Sequence, residues 1–98
     1  MKKAYAIRFY GGFTDKKGQP VNSAVYTRVM NERYGGYNTV FPATGCWKGK
    51  MEHTLVFEVV FCMPSVGIDW IERTKEDLRK AGNQEAVLVT RQEIEAEI

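Results

Sequence analysis

The sequence predicts an α+β domain of the ferredoxin-like kind, a sandwich in which two helices cover one face of a four-stranded antiparallel sheet. Two observations support this prediction. Segments of alternating apolar residues and segments of helical periodicity follow one another in the order β-α-β-β-α-β. Right-handed crossovers would then place both helices on the same face and give the spatial strand order 4-1-3-2. The length of 98 residues fits one domain over residues 1–98.

The first strand and the first helix are each bounded by typical end signals. Apolar residues alternate over residues 3–10, and Gly11-Gly12 ends this strand. Asn22 or Ser23 can cap a helix that runs to about residue 34. The apolar stripe of that helix consists of Val25, Tyr26, Val29 and Met30, with Arg33 along its edge.

The middle of the chain predicts a hairpin. Residues 37–48 form a strand after the Gly35-Gly36 helix stop, and Pro42 inside it, together with Gly45, favours an edge position or a bulge. Lys48-Gly49-Lys50 is the turn. Residues 53–63 form the clearest strand, which ends at Pro64-Ser65. One face of this strand carries Leu55, Phe57, Val59 and Phe61, and the other carries Thr54, Val56, Glu58, Val60 and Cys62.

The last third of the chain predicts a second helix and a short strand. The helix covers residues 68–81, with Ile68, Ile71, Leu78 and Ala81 as its buried line. The strand covers residues 85–90. The tail, residues 91–98, alternates Ile and Ala with Glu, which favours an extended segment, an extra strand or a swapped one, although Thr90 and Glu93 also match a helix capping box.

The sheet face that the helices leave open is expected to be apolar for a surface in water. Arg8 and Glu58 lie at its centre on adjacent strands and could form a cross-strand ion pair. Such a face favours a homodimer, while a modest exposed patch is the simpler alternative. The residues expected on it are Ala4, Ala6, Arg8, Val56, Glu58 and Val60.

Composition excludes several classes of protein. No apolar run is long enough to span a membrane, and the apolar stretch after the first lysines is interrupted at Arg8, too early for a signal peptide. We therefore expect a cytoplasmic protein with Cys46 and Cys62 as reduced thiols. Residues 1–50 carry nine Lys or Arg and two acids, whereas residues 51–98 carry five and ten, an asymmetry that can mark an anionic ligand face. The net charge of +2 is too small to indicate nucleic acid as a partner.

Reactive side chains are concentrated in the hairpin. Cys46, Glu52 and His53 could supply a nucleophile, an acid and a base, but no orienting group or oxyanion hole is visible. The single histidine and two distant cysteines match no zinc spacing. We therefore predict no catalytic residue, no metal site and no cofactor.

Aromatic and basic residues near the hairpin turn are the best candidates for binding a ligand or partner. Trp47 stands next to Lys48 and Lys50, and Tyr10 closes the first strand. Arg8 joins them as the central cation of the open face.

The chain resembles a family of small bacterial and phage domains of unknown function. The resemblance rests on Gly11-Gly12, on Thr44-Gly45-Cys46-Trp47 followed by Glu52, and on residues 83–88, Asn-Gln-Glu-Ala-Val-Leu. It implies the βαββαβ fold and an accessory, phage-like gene, and it supplies no catalytic residue. It draws attention to Trp47, Glu52, Asn83 and Gln84. For the last two, a structural role competes with ligand binding: Asn83 can adopt the left-handed conformation, and Gln84 can bond loose backbone groups.

The leading functional hypothesis is a non-enzymatic binding module, homo-oligomeric, that sequesters a small anionic ligand or inhibits a protein partner. One alternative is a single-stranded nucleic-acid-binding protein that uses the basic first half. Another is a small hydrolase built on Cys46, Glu52 and His53.

Overall fold

The computed structural model confirms the predicted fold class, element order and strand order. It describes residues 1–35, 38–62 and 67–97. One antiparallel sheet has the strand order β2-β3-β1-β4. The elements are β1 (Lys2–Gly12), α1 (Ala24–Arg33), β2 (Asn38–Trp47), β3 (Lys50–Phe61), α2 (Ile68–Ala81) and β4 (Leu88–Ala96).

The central strand β1 is hydrogen bonded on both sides, and its register determines what each face carries. Tyr10 lies opposite Val56 of β3 and opposite Leu88 of β4. Directly opposed residues of an antiparallel pair point to the same face, so these three side chains share the open face. β3 begins four residues before its first partner on β1, at Lys50 rather than Thr54, and the β2–β3 hairpin therefore extends past the end of β1.

The core lies between the helices and the other face of the sheet. Its buried members come from the strands β1 and β3, from both helices and, with Val87, from the segment before β4, as the period-2 and helical patterns predict. Asp77 of α2 forms an ion pair with Arg33 of α1 and so links the helices at their outer surface. The buried cluster is Ile7, Phe9, Tyr26, Met30, Phe57, Val59, Leu78 and Val87.

The buried line of α2 differs from the prediction, although the bounds of the helix agree. Ile68 is 70% exposed and Ala81 is also exposed. Thr74 is fully buried instead, because its hydroxyl donates to the carbonyl of Trp70 at 2.7 Å and so needs no water. The packed face thus follows an i, i+4 row through residues 70, 74 and 78, and Ile68 in the first turn lies off that row.

The tail forms strand rather than helix. β4 runs from Leu88 to Ala96 and pairs with β1 along its whole length, so residues 85–87 precede the strand and the tail extends it. Strand pairing satisfies the backbone groups that a capping box at Thr90 would have needed to satisfy, and it places Ile94 and Ala96 on the open face next to Ala4 and Lys2. The extended tail was correctly predicted, and its partner is this chain's own first strand.

The hairpin keeps the predicted edge position. β2 is an edge strand whose pairing with β3 continues without interruption from Asn38 to Trp47, so Pro42 needs no bulge. The turn consists of Lys48 and Gly49 alone, because Lys50 already pairs with Trp47. Several predicted signals lie outside the described residues: Gly36, Tyr37, Met63, Pro64, Ser65 and Ile98.

The predicted cross-strand pair on the open face is present. Arg8 Nε donates to Glu58 Oε2 at 2.6 Å, and the Arg8 guanidinium lies 5.7 Å from the centre of the Phe41 ring. Together these long side chains shield the small ones beneath them, which is why Ala6 and Val56 are buried on a face without helices.

Two further observations concern the cysteines and the possibility of a membrane-spanning helix. Cys46 and Cys62 are free thiols, as predicted. No helix in the described part of the chain is long and apolar enough to cross a lipid bilayer.

Candidate functional site

A cleft of about 740 Å³ opens on the uncovered face of the sheet, at the end where β1 stops and β3 and β4 begin. Tyr10, Thr54 and Leu88 line it from the sheet. The β2–β3 hairpin forms one wall, and the segments 14–18 and 84–87 form the other. The side chains with ring, charge or amide chemistry that line it are Tyr10, Asp15, Lys16, Trp47, Lys48, Lys50, Glu52, Gln84 and Glu85.

The hairpin wall owes its shape to a tight turn. Lys48 and Gly49 both have positive φ, +50° and +77°, as a two-residue turn of the mirror-image kind requires. This turn brings Trp47 opposite Lys50 and Gly45 opposite Glu52, and both pairs face the cleft. The side chains of Trp47, Lys50 and Glu52 thus share one surface.

The floor of the cleft is anchored at the end of β1. Tyr26 of α1 is fully buried and donates its hydroxyl to the carbonyl of Gly12 at 2.7 Å. Its ring passes so close to Gly11 and Gly82 that a Cβ at either position would overlap it. These glycines are therefore required by the close approach of the tyrosine ring, and the ring in turn holds the strand end against the helix layer.

Gln84 completes this anchor with an amide group of fixed orientation. Its side chain is 4% exposed, and its Nε2 donates to the carbonyl oxygens of Gly82 at 3.0 Å and Thr14 at 3.1 Å, with that of Gly12 at 3.5 Å. A flipped amide would direct its oxygen at three carbonyl oxygens, so only this orientation is possible. Oε1 of Gln84 is consequently fixed as a hydrogen-bond acceptor.

Glu52 faces the same point from the hairpin wall. A Cβ built on Gly12 would lie 2.5 Å from Oε1 of Gln84 and 2.7 Å from Oε1 of Glu52, so two acceptor oxygens converge over this glycine. The side chain of Glu52 has no hydrogen bond or ion pair with another described residue. Burial, followed by the nearby charges of Glu52 and Asp15, raises the pKa of Tyr26 to about 12. An acceptor pair of this kind selects a group that donates hydrogen bonds or carries positive charge.

The mouth of the cleft is closed by an ion pair between its two walls. Lys48 Nζ lies 2.5 Å from Oε1 of Glu85 and 5.8 Å from the centre of the Trp47 ring. Hydrogen bonding and the charge of Lys48, with a smaller contribution from Trp47, lower the pKa of Glu85. We call Lys48 and Glu85 the mouth pair. Both side chains are more than half exposed, at 63% and 59%.

The loop after β1 is ordered by local hydrogen bonds. Asp15 accepts from the backbone N–H groups of Lys17 and Gln19 at 2.8 and 2.9 Å, and from Asn83 Nδ2 at 3.3 Å. The same bonds, led by that of Gln19, lower the pKa of Asp15. Asn83 adopts the predicted left-handed conformation with φ of +48°. Through its hydrogen bond to Asp15, Asn83 joins the loop after β1 to the loop after α2, and it does not line the cleft.

Six of the eight residues predicted to bind a ligand or partner meet in this cleft. Two do not: Arg8 is held by Glu58 further along the sheet, and Asn83 lies behind the wall. The structural role predicted for Gln84 is present together with its place in the cleft. The six are Tyr10, Trp47, Lys48, Lys50, Glu52 and Gln84.

The triad considered for a hydrolase is not assembled. His53 Nδ1 is 3.3 Å from Thr44 Oγ1, and His53 does not line the cleft, whereas Cys46, which pairs with Met51, does. Glu52 points to the face opposite that of His53 because successive residues of a strand alternate. Within the part of the chain that the structure describes, no group of three or more His, Cys, Asp or Glu could hold a metal ion.

Glu85, Asp15 and Lys16 are cleft residues that lie outside the set predicted to bind a ligand or partner. Glu85 lies 37 positions from Lys48 in the sequence. No local sequence pattern predicts that the hairpin turn contacts Glu85. With these residues included, the cleft is lined by three cations and three carboxylates: Lys16, Lys48, Lys50, Asp15, Glu52 and Glu85. Such a lining offers partners to a ligand that carries both positive and negative groups.

The comparisons with known proteins give a fold but no family. No family model matches the sequence, and no curated protein matches it. The chain is similar in structure to a phage SAM lyase in complex with S-methyl-5'-thioadenosine, with a TM-score of 0.61 and 15% identity over 92% of this chain and 81% of that chain. It is also similar to a phage SAM lyase in the apo state, with a TM-score of 0.55 and 17% identity over 91% and 79% of the two chains.

These neighbours correct the leading functional hypothesis. A non-enzymatic binding module was expected, whereas the two solved structures reported above, which share the fold over most of this chain, are structures of an enzyme. The cleft residues come from four separate segments of the chain, and none of the familiar short motifs of nucleophilic catalysis links them.

Proposed function

We propose that this protein is an enzyme that binds S-adenosylmethionine (SAM) in the cleft and cleaves it to release S-methyl-5'-thioadenosine. The fold shared with a phage SAM lyase supports the reaction class, and the chemistry of the cleft supports the substrate. A volume of about 740 Å³ is in the range of small-molecule and cofactor sites.

The observation that carries the proposal is the unpaired carboxylate of Glu52 inside a cleft of mixed charge. Of the three carboxylates that line it, Asp15 accepts hydrogen bonds from its own loop and Glu85 is paired with Lys48. Among these three, the carboxylate of Glu52 alone has no hydrogen-bond or ion-pair partner in the described part of the chain. A carboxylate without an ion-pair partner inside a cleft is typical of a site that binds a ligand of complementary charge.

The groups of SAM have counterparts in the lining. SAM carries an adenine ring, ribose hydroxyls, a sulfonium, an ammonium and a carboxylate. Tyr10 and Trp47 offer ring faces for the adenine and the sulfonium. The acceptor pair of Glu52 and Gln84 accepts from a donor group, and Lys50 offers a cation for the substrate carboxylate.

The proposed reaction breaks the bond between sulfur and the four-carbon amino acid chain. Both electrons of that bond stay on sulfur, which changes from a cationic sulfonium to the neutral thioether of S-methyl-5'-thioadenosine. No second substrate enters, so the carbon chain forms a new bond from within: it loses a proton and gains a double bond, or it closes on its own carboxylate. Glu52 is the base in the first route and holds the substrate cation in the second.

The test is to incubate the purified protein with SAM and to follow both substrate and products by chromatography and NMR. We expect S-methyl-5'-thioadenosine to accumulate, and the structure of the four-carbon product to identify the route. Glu52→Gln keeps the size of the side chain and removes its charge, so the rate should fall about 100-fold, as for loss of a general base or a positioned charge.

Glu95→Gln is the matched control, because Glu95 lies on β4, is exposed and is outside the cleft. Its activity should equal that of the wild type. If the folded wild-type protein neither consumes SAM nor binds it or its thioether product in calorimetry, the proposal is wrong. If Glu52→Gln keeps full activity, Glu52 has been given the wrong role.

Self-association and location in the cell stay proposals alongside this one. A homodimer through the open face would cover Leu88, which is 57% exposed at the lip of the cleft, and light scattering of the purified protein tests it. A monomer at high concentration would contradict it. A cytoplasmic protein, as the sequence predicts, would meet SAM in the compartment where that metabolite is used.

A further inference from the structure

The mouth pair has the composition of a binding site for an organic cation. An ammonium group, that of Lys48, is held between the carboxylate of Glu85 at 2.5 Å and the ring of Trp47, whose centre is 5.8 Å away. A carboxylate together with an aromatic face is the arrangement by which proteins bind alkylammonium and sulfonium groups. All three side chains line the cleft, so the position that the ammonium occupies is open to a ligand.

We propose that Glu85 and Trp47 form a subsite for the cationic centre of the ligand, a sulfonium or an alkylammonium, and that Lys48 occupies it as an internal competitor. The inference rests on the proposed function for the identity of the natural ligand, but the subsite itself stands on the geometry of these three residues. A ligand cation enters by displacing the Lys48 ammonium into water, and a neutral thioether leaves the ammonium in place.

The position of Lys48 suits it to this exchange. Its backbone is fixed in the turn with φ of +50°, while its side chain is 63% exposed and needs no buried contact to be released. An exposed ion pair and an exposed cation–π contact each contribute little, so the ammonium is readily displaced. Competition of this kind would distinguish a charged substrate from its neutral product, because only the substrate carries a cation that can replace the Lys48 ammonium in the subsite.

The test uses Lys48→Met, which keeps the length of the side chain and the L-residue in the turn while it removes the charge. Binding of trimethylsulfonium chloride to the full-length protein is followed through the indole N–H signal of Trp47 in a ¹⁵N-correlated NMR spectrum. We expect Lys48→Met to bind this ion about three- to tenfold more tightly than the wild type. In calorimetry its affinity for SAM should rise by a similar factor, and its affinity for S-methyl-5'-thioadenosine should not change.

Two variants separate an emptied subsite from a simple loss of positive charge. Lys50→Met removes a cation from the same cleft without emptying the subsite, since Lys50 pairs across the strand with Trp47 and forms no ion pair with a described residue, and it should give less than half of the gain. Glu85→Gln in the Lys48→Met background should abolish the gain.

The inference is overturned if Lys48→Met binds trimethylsulfonium no better than the wild type, or if Lys50→Met gives the same gain. Its failure is distinguishable from failure of the proposed function, because trimethylsulfonium binding does not require SAM cleavage. A variant that gains affinity for the ion in a protein that never cleaves SAM would keep the subsite and refute the reaction.

Discussion

The floor and the mouth of the cleft are built by different kinds of interaction. The anchor at the floor consists of Gly12, Tyr26, Gly82 and Gln84, and its two long side chains are almost fully buried, at 0% and 4% exposed. Its bonds join a helix, a strand end and a loop that lie far apart in the sequence. The mouth pair of Lys48 and Glu85 joins two surface segments through a single exposed contact.

This difference separates what the fold needs from what the ligand needs. A buried hydrogen bond cannot be exchanged for one to water, so the anchor has one geometry and fixes the acceptor oxygen of Gln84 in place. An exposed ion pair exchanges with water at little cost, so the mouth can open. Changes at the anchor should therefore appear as lost stability, and changes at the mouth as altered binding.

The largest effect is expected from Gly82→Ala. A Cβ at this position would overlap the hydroxyl and ring of Tyr26, and the anchor has no space to shift. We expect the free energy of unfolding to fall by about 3 kcal/mol, as for overpacking of a rigid site. Urea unfolding measures it. Gly45→Ala is the control, because a Cβ there meets nothing within 4 Å, and equal losses in the two variants would refute the close approach.

A smaller loss is expected from Gln84→Met. Methionine has a similar length but leaves the carbonyl oxygens of Thr14 and Gly82 without the donor that satisfies them. The free energy of unfolding should fall by about 2 kcal/mol. Gln92→Met, at an exposed position on β4, should change it by less than about 0.5 kcal/mol. Stability unaltered by Gln84→Met would show that the anchor does not depend on this amide.

The Tyr26 hydroxyl makes the stability of the anchor depend on pH. Its pKa is raised to about 12 in the folded protein and is about 10 in an unfolded chain. The contribution of Tyr26 is therefore fully present below about pH 10, and it is lost as pH rises through about 12, because the unfolded state gives up its proton first. Tyr26→Phe should cost about 1 kcal/mol at neutral pH through loss of the bond to Gly12.

Urea unfolding of the wild type and Tyr26→Phe between about pH 8 and about pH 11 tests the sign of this linkage. The difference between the two proteins should shrink as the pH rises, since phenylalanine has no proton to lose. A difference that grows with pH would mean that the folded state favours the phenolate, contrary to its buried surroundings.

Most of the fold could be predicted from the sequence, because local periodicity determines it. The alternation of Leu55, Phe57 and Val59 gave the correct face of β3, and the pattern of α2 gave its correct bounds. The prediction was wrong where a side-chain hydrogen bond overrides the pattern. Thr74 is buried because its hydroxyl bonds within the helix, and β4 begins three residues late because Gln84 anchors the segment before it.

The cleft could be predicted only in part. Aromatic and charged types near the turn singled out Trp47, Lys48 and Glu52, but their meeting with Gln84 depends on β3 extending past the end of β1. The partner of Lys48 could not be found from its neighbours in sequence, since Glu85 approaches it only through the tertiary fold. Residue types therefore indicated candidates, and only the strand register showed which of them share a surface.

The smallest change in stability is expected from Lys48→Met, and it completes the comparison between floor and mouth. Both partners of the mouth pair are exposed, so the free energy of unfolding should fall by less than about 0.5 kcal/mol. Thermal and urea unfolding at low and high salt measure it, with Lys50→Met as the control for loss of one surface charge. A loss as large as that of Gln84→Met would show that the mouth, like the floor, is part of the framework of the fold. A negligible loss of unfolding free energy together with altered binding of trimethylsulfonium would show that the Lys48 ammonium affects ligand binding and not the stability of the fold.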